Sequence, residues 1–394
     1  MVHQTANTNN ANAARASSKS TVMRRLFQWL CAALIVGVLA SCATRPEAPS
    51  EGPLNLVDVP DTGPLGPVLR RERSLWVPVR WADLPGFTAD DTQAAWSAWL
   101  QSCQFPRAPF VALCGEVRRM ALATSDEQRE WMRMRLQPYR VETAGGASAG
   151  LLTSYFEPEY AASRVPQGAY QIPIFGLPAA MPRGRPWYTR QQIDTDPAVR
   201  AQLAGSAIAW LADPIDAMIL QIQGSGRLQI REPDGTEREV RLAYAGTNDQ
   251  PYRSPGRWLK DQGLISDATW PGIKAFLALH PDYVQPFLWS NPRVVFFREE
   301  PTSDAGPRGA QGVALTPGRS IAVDPGSIPY GTPVWLASNG PTAQLDRLVI
   351  AQDTGHAIQG AVRADYFAGT GAQAGELAGR LNQPLHLWVL WPKP

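Results

Sequence analysis

Runs of alternating apolar and polar residues fill the chain from Leu151 onward and predict β-strands. Because successive side chains of a strand point to opposite faces, such alternation is typical of strands with one buried face. Proline and glycine turns separate the runs, and Pro233-Asp234-Gly235 predicts a hairpin between two of them. VVFF, which ends at Phe297, predicts a buried strand. The runs are LLTSYFEPEY, AYQIPIFGLP, DAMILQIQGSGRLQI, REVRLAYAG, RSIAVD, GTPVWLAS, DRLVIAQD and LHLWVLW.

Three segments show the apolar spacing of helices instead. TADDTQAAWSAWL at residues 88–100 places two tryptophans three positions apart, as on one helical face. SDEQREWMRMRL at residues 125–136 begins with the spacing of a capping box, in which Ser125 would pair with Gln128. SDATWPGIKAFLALH at residues 266–280 carries its proline near the start, where a helix tolerates it. The chain is therefore predicted to be mainly β with attached helices.

The N-terminal 41 residues are predicted to be an extension and a secretory signal. Two arginines precede the apolar run LFQWLCAALIVGVLA at residues 26–40, which is shorter than the roughly 20 residues of a spanning helix. Leu39-Ala-Ser-Cys42 resembles a bacterial lipobox, which predicts cleavage before Cys42 and a lipid on its sulfur. An ordinary signal peptide with a chance cysteine is the alternative. Ala43 follows the cysteine, so we expect a lipid anchor at the periplasmic face of the outer membrane.

Residues 42–74 are rich in proline, glycine and acids, and predict a linker from the lipid to the folded body. The whole chain has 394 residues, enough for two or three domains. Its formal net charge of +2 gives no reason to expect a nucleic-acid partner.

Cys103 and Cys114 follow the anchor, and in an exported protein they predict a disulfide. Four histidines lie scattered along the chain, so neither a metal site nor a cofactor is expected.

Candidate chemistry concentrates in AQDTGHAIQGAVRADYFAGTG at residues 351–371. Asp-Thr-Gly occurs in aspartic proteases, but these need two matched halves, and no repeat is evident in the chain. A glycosidase needs one carboxylic acid to protonate the departing oxygen and often uses a second carboxylate. Asp353 and Asp365 fit such a pair, because a neighbouring anion raises the pKa of an acid. Both aspartates could instead cap turns.

The segment Gln223-Gly-Ser-Gly226 superficially resembles a phosphate-binding loop. It lacks the Gly-Lys-Ser/Thr ending and is expected to lie between two strands rather than before a helix. A bulge or bend is the simpler interpretation. Close approach of its backbone to another ligand remains open, because glycine permits it.

An ordered set of motifs resembles the membrane-bound lytic murein transglycosylase A (MltA) family over about residues 75–392. The motifs are LLTSYFEPEY, DAMILQIQGSGRL, RLAYAGTNDQPYRSPGRWL, NPRVVFFRE, SIAVDPGSIPYGTPVWL and AQDTGHAIQGAVRADYFAGTG. The C-terminal part resembles the 3D domain, whose three aspartates match Asp324, Asp353 and Asp365. His356 departs from the pattern, because a small residue is expected there.

The resemblance implies a fold with two β-barrel domains and a glycan-binding groove between them. The first domain would be discontinuous, with residues 75–154 and 246–394, and would contain a double-psi β-barrel at about 290–394. A smaller β domain at residues 155–245 would be inserted into it. In this arrangement Asp324 is expected to organise the barrel.

The resemblance also implies an enzyme, a lyase that cuts the β-1,4 bond between N-acetylmuramic acid and N-acetylglucosamine in peptidoglycan. The product ends in a 1,6-anhydro ring and no water is consumed. Asp365 would be the catalytic acid and Asp353 its supporting acid. A non-catalytic peptidoglycan-binding lipoprotein and a hydrolytic muramidase are the alternatives. The expected glycan contacts lie in the resembling motifs, and Glu157 and Glu159 are expected at the surface or rim. The contacts are Thr153, Tyr155, Gln223, Ser225 and Tyr244.

Overall fold

Two β-sheets carry the fold, in agreement with the alternating runs. The structure is a computed structural model that describes residues 54–57, 60–182 and 184–394. The predicted signal, Cys42 and part of the predicted linker therefore lie outside the described residues. Within the described ranges, no helix combines the length and the apolar character that crossing a membrane requires.

Fifteen strands and ten α-helices are found among the described residues. The strands are β1 (Leu69–Arg70), β2 (Leu75–Pro78), β3 (Leu136–Glu142), β4 (Gly150–Glu157), β5 (Glu159–Ser163), β6 (Ile172–Phe175), β7 (Ala207–Leu211), β8 (Ser225–Arg231), β9 (Glu237–Thr247), β10 (Val295–Glu300), β11 (Ser320–Val323), β12 (Pro333–Asn339), β13 (Gln344–Asp353), β14 (Arg363–Thr370) and β15 (Asn382–Pro392). The helices are α1 (Thr92–Ser102), α2 (Cys114–Arg119), α3 (Ser125–Arg135), α4 (Arg190–Thr195), α5 (Pro197–Leu203), α6 (Pro214–Gln223), α7 (Pro255–Asp261), α8 (Trp270–Leu279), α9 (Val284–Ser290) and α10 (Gly371–Arg380).

The larger sheet has nine strands, in the order β1-β2-β3-β15-β12-β13-β11-β14-β4. Strand β4 also pairs with β15, so six strands from β15 to β4 close into a ring. Two pairs within the ring, β11 with β13 and β14 with β4, are parallel. Buried aliphatic side chains such as Ile321, Leu336 and Val349 belong to one core cluster of this sheet. The ring fixes the ends of β13 and β14, which carry the candidate acids.

The smaller sheet has six strands, in the order β10-β9-β8-β5-β7-β6. A bridge between Gly176, just after β6, and Phe297 on β10 brings its two edges together. The predicted hairpin is confirmed: β8 and β9 pair antiparallel, and Gly235 has a φ of +87°, which glycine adopts without strain. Strand β10 returns to this sheet after the helices α7, α8 and α9, so the sheet also uses residues beyond 245.

The three predicted helices are present, and two of them, α1 and α8, begin four residues later than their patterns indicated. Helix α1 begins at Thr92 because the side chain of Asp91 accepts a hydrogen bond from the N–H of Gln93. In α3 the capping box joins Thr124 to Glu127, one position before the predicted pair. The predicted tryptophans of α1 and α3 pack together, with ring centroids 5.1–5.5 Å apart.

One predicted strand is wrong, because the apolar run before Gly224 forms helix α6. Asp213 caps the helix by accepting from the N–H of Ile215, and Pro214 occupies the first turn. Gly224 ends the helix with a φ of +80°. The glycine loop therefore lies between a helix and a strand, not between two strands. An Asp-Pro start and a glycine stop were visible in the sequence, but the apolar alternation masked them.

Candidate active site

The two candidate acids lie in one row across three neighbouring strands. Ala322 on β11 is the cross-strand partner of both Asp353 on β13 and Asp365 on β14. Thr153 on β4 is in turn the partner of Asp365. Neighbouring strands are about 4.8 Å apart, so two strand spacings separate the backbones of the two aspartates.

Asp365 is partly exposed and is held by one hydroxyl group. The Thr153 hydroxyl donates a hydrogen bond to its carboxylate, and Arg363 donates to the same hydroxyl oxygen at 2.7 Å. Burial among protein atoms raises the pKa of Asp365, while the Thr153 hydrogen bond and the Arg363 charge oppose this rise. A carboxylic acid with a raised pKa keeps its proton closer to neutral pH, as a general acid requires.

Asp353 has a different set of partners. The Tyr155 hydroxyl donates to its Oδ2 at 2.9 Å, and the backbone N–H of Ala310 donates to its Oδ1 at 2.8 Å. Burial raises the pKa of Asp353 to about 6, and the negative charge of Asp365 adds to the rise. For both acids burial is the first cause of the raised pKa, and the neighbouring anion that the sequence pattern had suggested is a further cause for Asp353.

Asp324 lies apart from this pair and binds backbone. Its Oδ1 accepts from the N–H of Gly326 at 2.9 Å, and its Oδ2 accepts from the N–H of Gly360 at 2.8 Å. Arg73 approaches the same carboxylate at 3.5 Å. A buried aspartate that ties two glycine turns together fits the predicted organising role.

The five expected glycan contacts divide into two groups. Thr153 and Tyr155 hydrogen-bond to the candidate acids directly, and Gln223 accepts from the backbone N–H of Phe156, next to Tyr155. Ser225 begins β8 of the smaller sheet, and the side chain of Tyr244 on β9 is 51% exposed. The structure places Thr153 and Tyr155 at the acids and Gln223 against the backbone next to Tyr155. The other two lie on the smaller sheet.

Tyr252 is a site residue that sequence reasoning missed. The charge of Asp365 contributes to raising the pKa of Tyr252, after burial. Tyr252 and Thr153 line a pocket of about 200 Å³ together with Ser254 and Trp270. Its motif was part of the resemblance, but nothing in its local sequence showed that its ring would lie near Asp365.

In the described ranges, no three His, Cys, Asp or Glu side chains form a group that could hold a metal ion.

Glu157 was expected at the surface, and this prediction is wrong. Its side chain is fully buried, and its two carboxylate oxygens pair with Arg227 at 3.1 Å and Arg241 at 2.8 Å. Thr370 donates a further hydrogen bond at 2.9 Å. Since Glu157 ends β4 and both arginines belong to the smaller sheet, this cluster joins the two sheets. Glu159 is exposed, as expected.

Sequence reasoning overlooked a second Asp-Thr-Gly at residues 61–63, which contributes to a turn rather than to a matching half of a protease site. The carboxylate of Asp61 accepts from the backbone N–H of Ala82 at 3.1 Å, and its carbonyl accepts from Arg80. These contacts give it a structural role beside the first strands.

Cys103 and Cys114 form the disulfide that the sequence predicted.

Comparison with known proteins defines the class. The model of the MltA specific insert domain matches residues 151–298, and that of the 3D domain matches residues 319–391. A membrane-bound lytic murein transglycosylase A from Escherichia coli is 31% identical over 69% of this chain and 74% of its own length. The chain belongs to the family of membrane-bound lytic murein transglycosylase A.

Solved structures agree with this membership. The lytic transglycosylase LtgG of Burkholderia pseudomallei is 41% identical, and the match covers 84% of this chain and 98% of that protein, with a TM-score of 0.58. MltA from Neisseria gonorrhoeae is 28% identical, with 85% and 98% covered and a TM-score of 0.70. The predicted family and the predicted β-rich fold with helices are confirmed.

Proposed function

We propose that this chain is a lytic transglycosylase of peptidoglycan. It cleaves the β-1,4 bond between N-acetylmuramic acid and N-acetylglucosamine and leaves 1,6-anhydromuramic acid ends. The observation that carries the proposal is the placement of Asp365. The pKa of Asp365 is raised, and Thr153, which donates a hydrogen bond to it, lines the pocket, in a chain that belongs to the family.

Asp365 serves both proton transfers of the reaction. Its carboxylic acid protonates the glycosidic oxygen as the bond to the anomeric carbon breaks. The oxygen of the sugar's own 6-hydroxyl then bonds to that carbon, and its proton passes to the Asp365 carboxylate. The acid is regenerated and water takes no part. Thr153 orients the carboxylate throughout through its hydrogen bond.

Asp353 is a supporting acid in this proposal. Its carboxylate fixes the Tyr155 hydroxyl and the backbone at Ala310, so both surfaces stay in place near the substrate. In this proposal its charge also favours the protonated form of Asp365, because the repulsion between two anions acts on both. Tyr155 and Gln223, with Ser225 and Tyr244 across on the smaller sheet, form the glycan contacts.

The proposal also covers the two β domains and the groove between them. The closed six-stranded ring with two parallel pairs supports a double-psi β-barrel. Five of its strands lie in the C-terminal part, and the sixth, β4, comes from residues before the expected barrel. The smaller sheet corresponds to the domain inserted from residue 155, with β10 as an additional strand beyond the expected boundary of 245. The glycan would lie in the groove between the two sheets, above the row of acids.

The location follows from the substrate and the N-terminal sequence. The E. coli relative is named a membrane-bound enzyme, and the lipobox supports a lipid on Cys42. An anchor at the periplasmic face of the outer membrane would hold the enzyme beside the cell wall. Only the first part of the predicted linker at residues 42–74 would give the folded body its reach. Asp61 already bonds to Ala82, and Leu69–Arg70 already pair with β2, so the later part belongs to the folded body.

Analysis of the products from purified peptidoglycan tests the function. The proposal expects 1,6-anhydromuropeptides from the wild type and at least about 10²-fold less from Asp365→Asn. Reducing muramic acid ends would instead show a hydrolytic muramidase. Binding without any cleavage would show a non-catalytic peptidoglycan-binding protein.

A further inference from the structure

Arg293 is a tethered cation at the edge of the candidate site. Its Nε donates to the carbonyl of Gln250 at 2.8 Å, and its backbone N–H donates to the side chain of Asn291. A guanidinium has five N–H donors, so this tether leaves four for other partners. Among residues 54–57, 60–182 and 184–394, no acidic side chain forms a salt bridge with Arg293.

The segment that carries Arg293 is braced from inside the protein. Arg190 is buried and donates to the carbonyls of Asn291 and Arg293. Asn248 donates to the carbonyl of Pro292 at 2.9 Å. A side chain on such a fixed segment loses less conformational freedom on binding a ligand than one on a free loop.

The same segment adjoins the pocket beside Asp365. The side-chain oxygen of Asn291 also accepts from the backbone N–H of Arg253, the residue after Tyr252. Tyr252 lines the pocket together with Thr153, the hydrogen-bond partner of Asp365. The charge of Arg293 acts on Tyr252 and on His356, whereas the cation that acts on Asp365 is Arg363. The bond from the Arg293 guanidinium to Gln250, two residues before Tyr252, places the cation beside the rim of the pocket.

The pocket and its rim differ in chemistry. All twelve residues that line the pocket are uncharged, so it suits a neutral part of a substrate. An unpaired arginine at the rim suits a carboxylate, to which its planar group can donate two parallel hydrogen bonds. In peptidoglycan the sugars carry no carboxylate of their own once the lactyl group of muramic acid is amide-linked. The carboxylates belong to the peptides attached there.

We propose that Arg293 forms a subsite for a carboxylate of the peptide carried by the muramic acid residue, and so makes the enzyme favour peptide-bearing strands over bare glycan. This inference rests on the proposed substrate, peptidoglycan. It adds a contact to the peptide, which the glycan-binding residues do not provide.

Binding measured in the Asp365→Asn background tests the inference without cleavage. The probes are soluble peptidoglycan strands with their peptides and the same strands after removal of the peptides by an amidase. Arg293→Gln is expected to weaken binding of the peptide-bearing strands about tenfold or more, as for loss of a hydrogen bond to a charged group, and to leave bare strands unchanged. Arg293→Lys keeps the charge and is expected to recover part of the loss.

Arg253→Gln is the matched control. Arg253 is exposed, and its substitution removes the same charge from the neighbouring segment. An equal loss in this control would overturn the inference in favour of a general charge effect. Equal weakening of both probes by Arg293→Gln, or of neither, would also overturn it. Product analysis of the wild type tests the cleavage itself, so failure of the proposed function would be seen separately.

Discussion

Replacing Asp353 by asparagine tests how the two acids share the site. Asparagine keeps the shape of the side chain and an oxygen that accepts from the N–H of Ala310. Its amide group faces the Tyr155 hydroxyl, whose oxygen can accept a hydrogen bond in place of donating one. The substitution therefore removes one negative charge with little change of geometry. The loss of this charge matters at pH values above the Asp353 pKa of about 6, where the wild-type side chain is ionised.

The size of the expected change in the pKa of Asp365 follows from the spacing of the strands that carry the two acids. Asp353 and Asp365 are both cross-strand partners of Ala322, so their backbones are about 10 Å apart. Two unit charges at about 10 Å interact by about 1.7 kcal/mol at an effective dielectric constant of about 20, which corresponds to about one pKa unit. Solvent at the site reduces this, so we expect the pKa of Asp365 to fall by about 0.5–1 unit in Asp353→Asn.

The sign of the pH change is fixed by the role of Asp365. The acid must hold its proton when the substrate binds, so its pKa sets the basic limb of the pH–rate profile. A lower pKa moves that limb to lower pH by about 0.5–1 unit. Release of 1,6-anhydromuropeptides measured against pH shows the shift. Asp126→Asn is the control, because that carboxylate is exposed in the first turn of helix α3, and its loss should leave the limb in place.

Two outcomes would refute this reasoning. A basic limb that stays in place, or moves to higher pH, would mean that the charge of Asp353 does not act on the acid. Complete loss of activity in Asp353→Asn with an intact fold would mean that Asp353 takes part in the proton transfers.

Four further predictions follow from the same contacts. Asp365→Asn should lower turnover by about 10²–10⁴-fold with an unchanged melting temperature, and substantial residual activity would reject its role. Glu157→Gln should lower the free energy of unfolding by roughly 3–5 kcal/mol in a denaturant titration, because two arginines lose their buried partner. Replacing Cys103 and Cys114 by serine should cost roughly 2–3 kcal/mol in the same titration, and no change would argue against a stabilising disulfide. Cys42→Ala should release the protein from membranes, and continued membrane binding with unchanged mass would contradict the lipid anchor.

The local pattern of apolar and polar residues predicted most of the helices and strands. It was insufficient where one segment carried the signals of both a helix and a strand. The runs around Trp335 and Val349 became strands, because alternation and bounding turns agreed. The run before Gly224 became helix α6, because caps at both ends outweighed an alternation that a buried helix also produces. Short apolar runs do not distinguish these two states without the surrounding structure.

The sequence by itself determined the family, the β-rich class and the identity of the candidate acids, because each depends on residue types in a fixed order. Only the tertiary structure decided the arrangement of the site. Asp353 and Asp365 meet through Ala322, which lies about thirty to forty residues away along the chain, and Thr153 reaches Asp365 across 212 positions. The burial of Glu157 depends on arginines from the other sheet. Such placements, and the pKa shifts that burial causes, arise from long-range strand pairing, which no local pattern encodes.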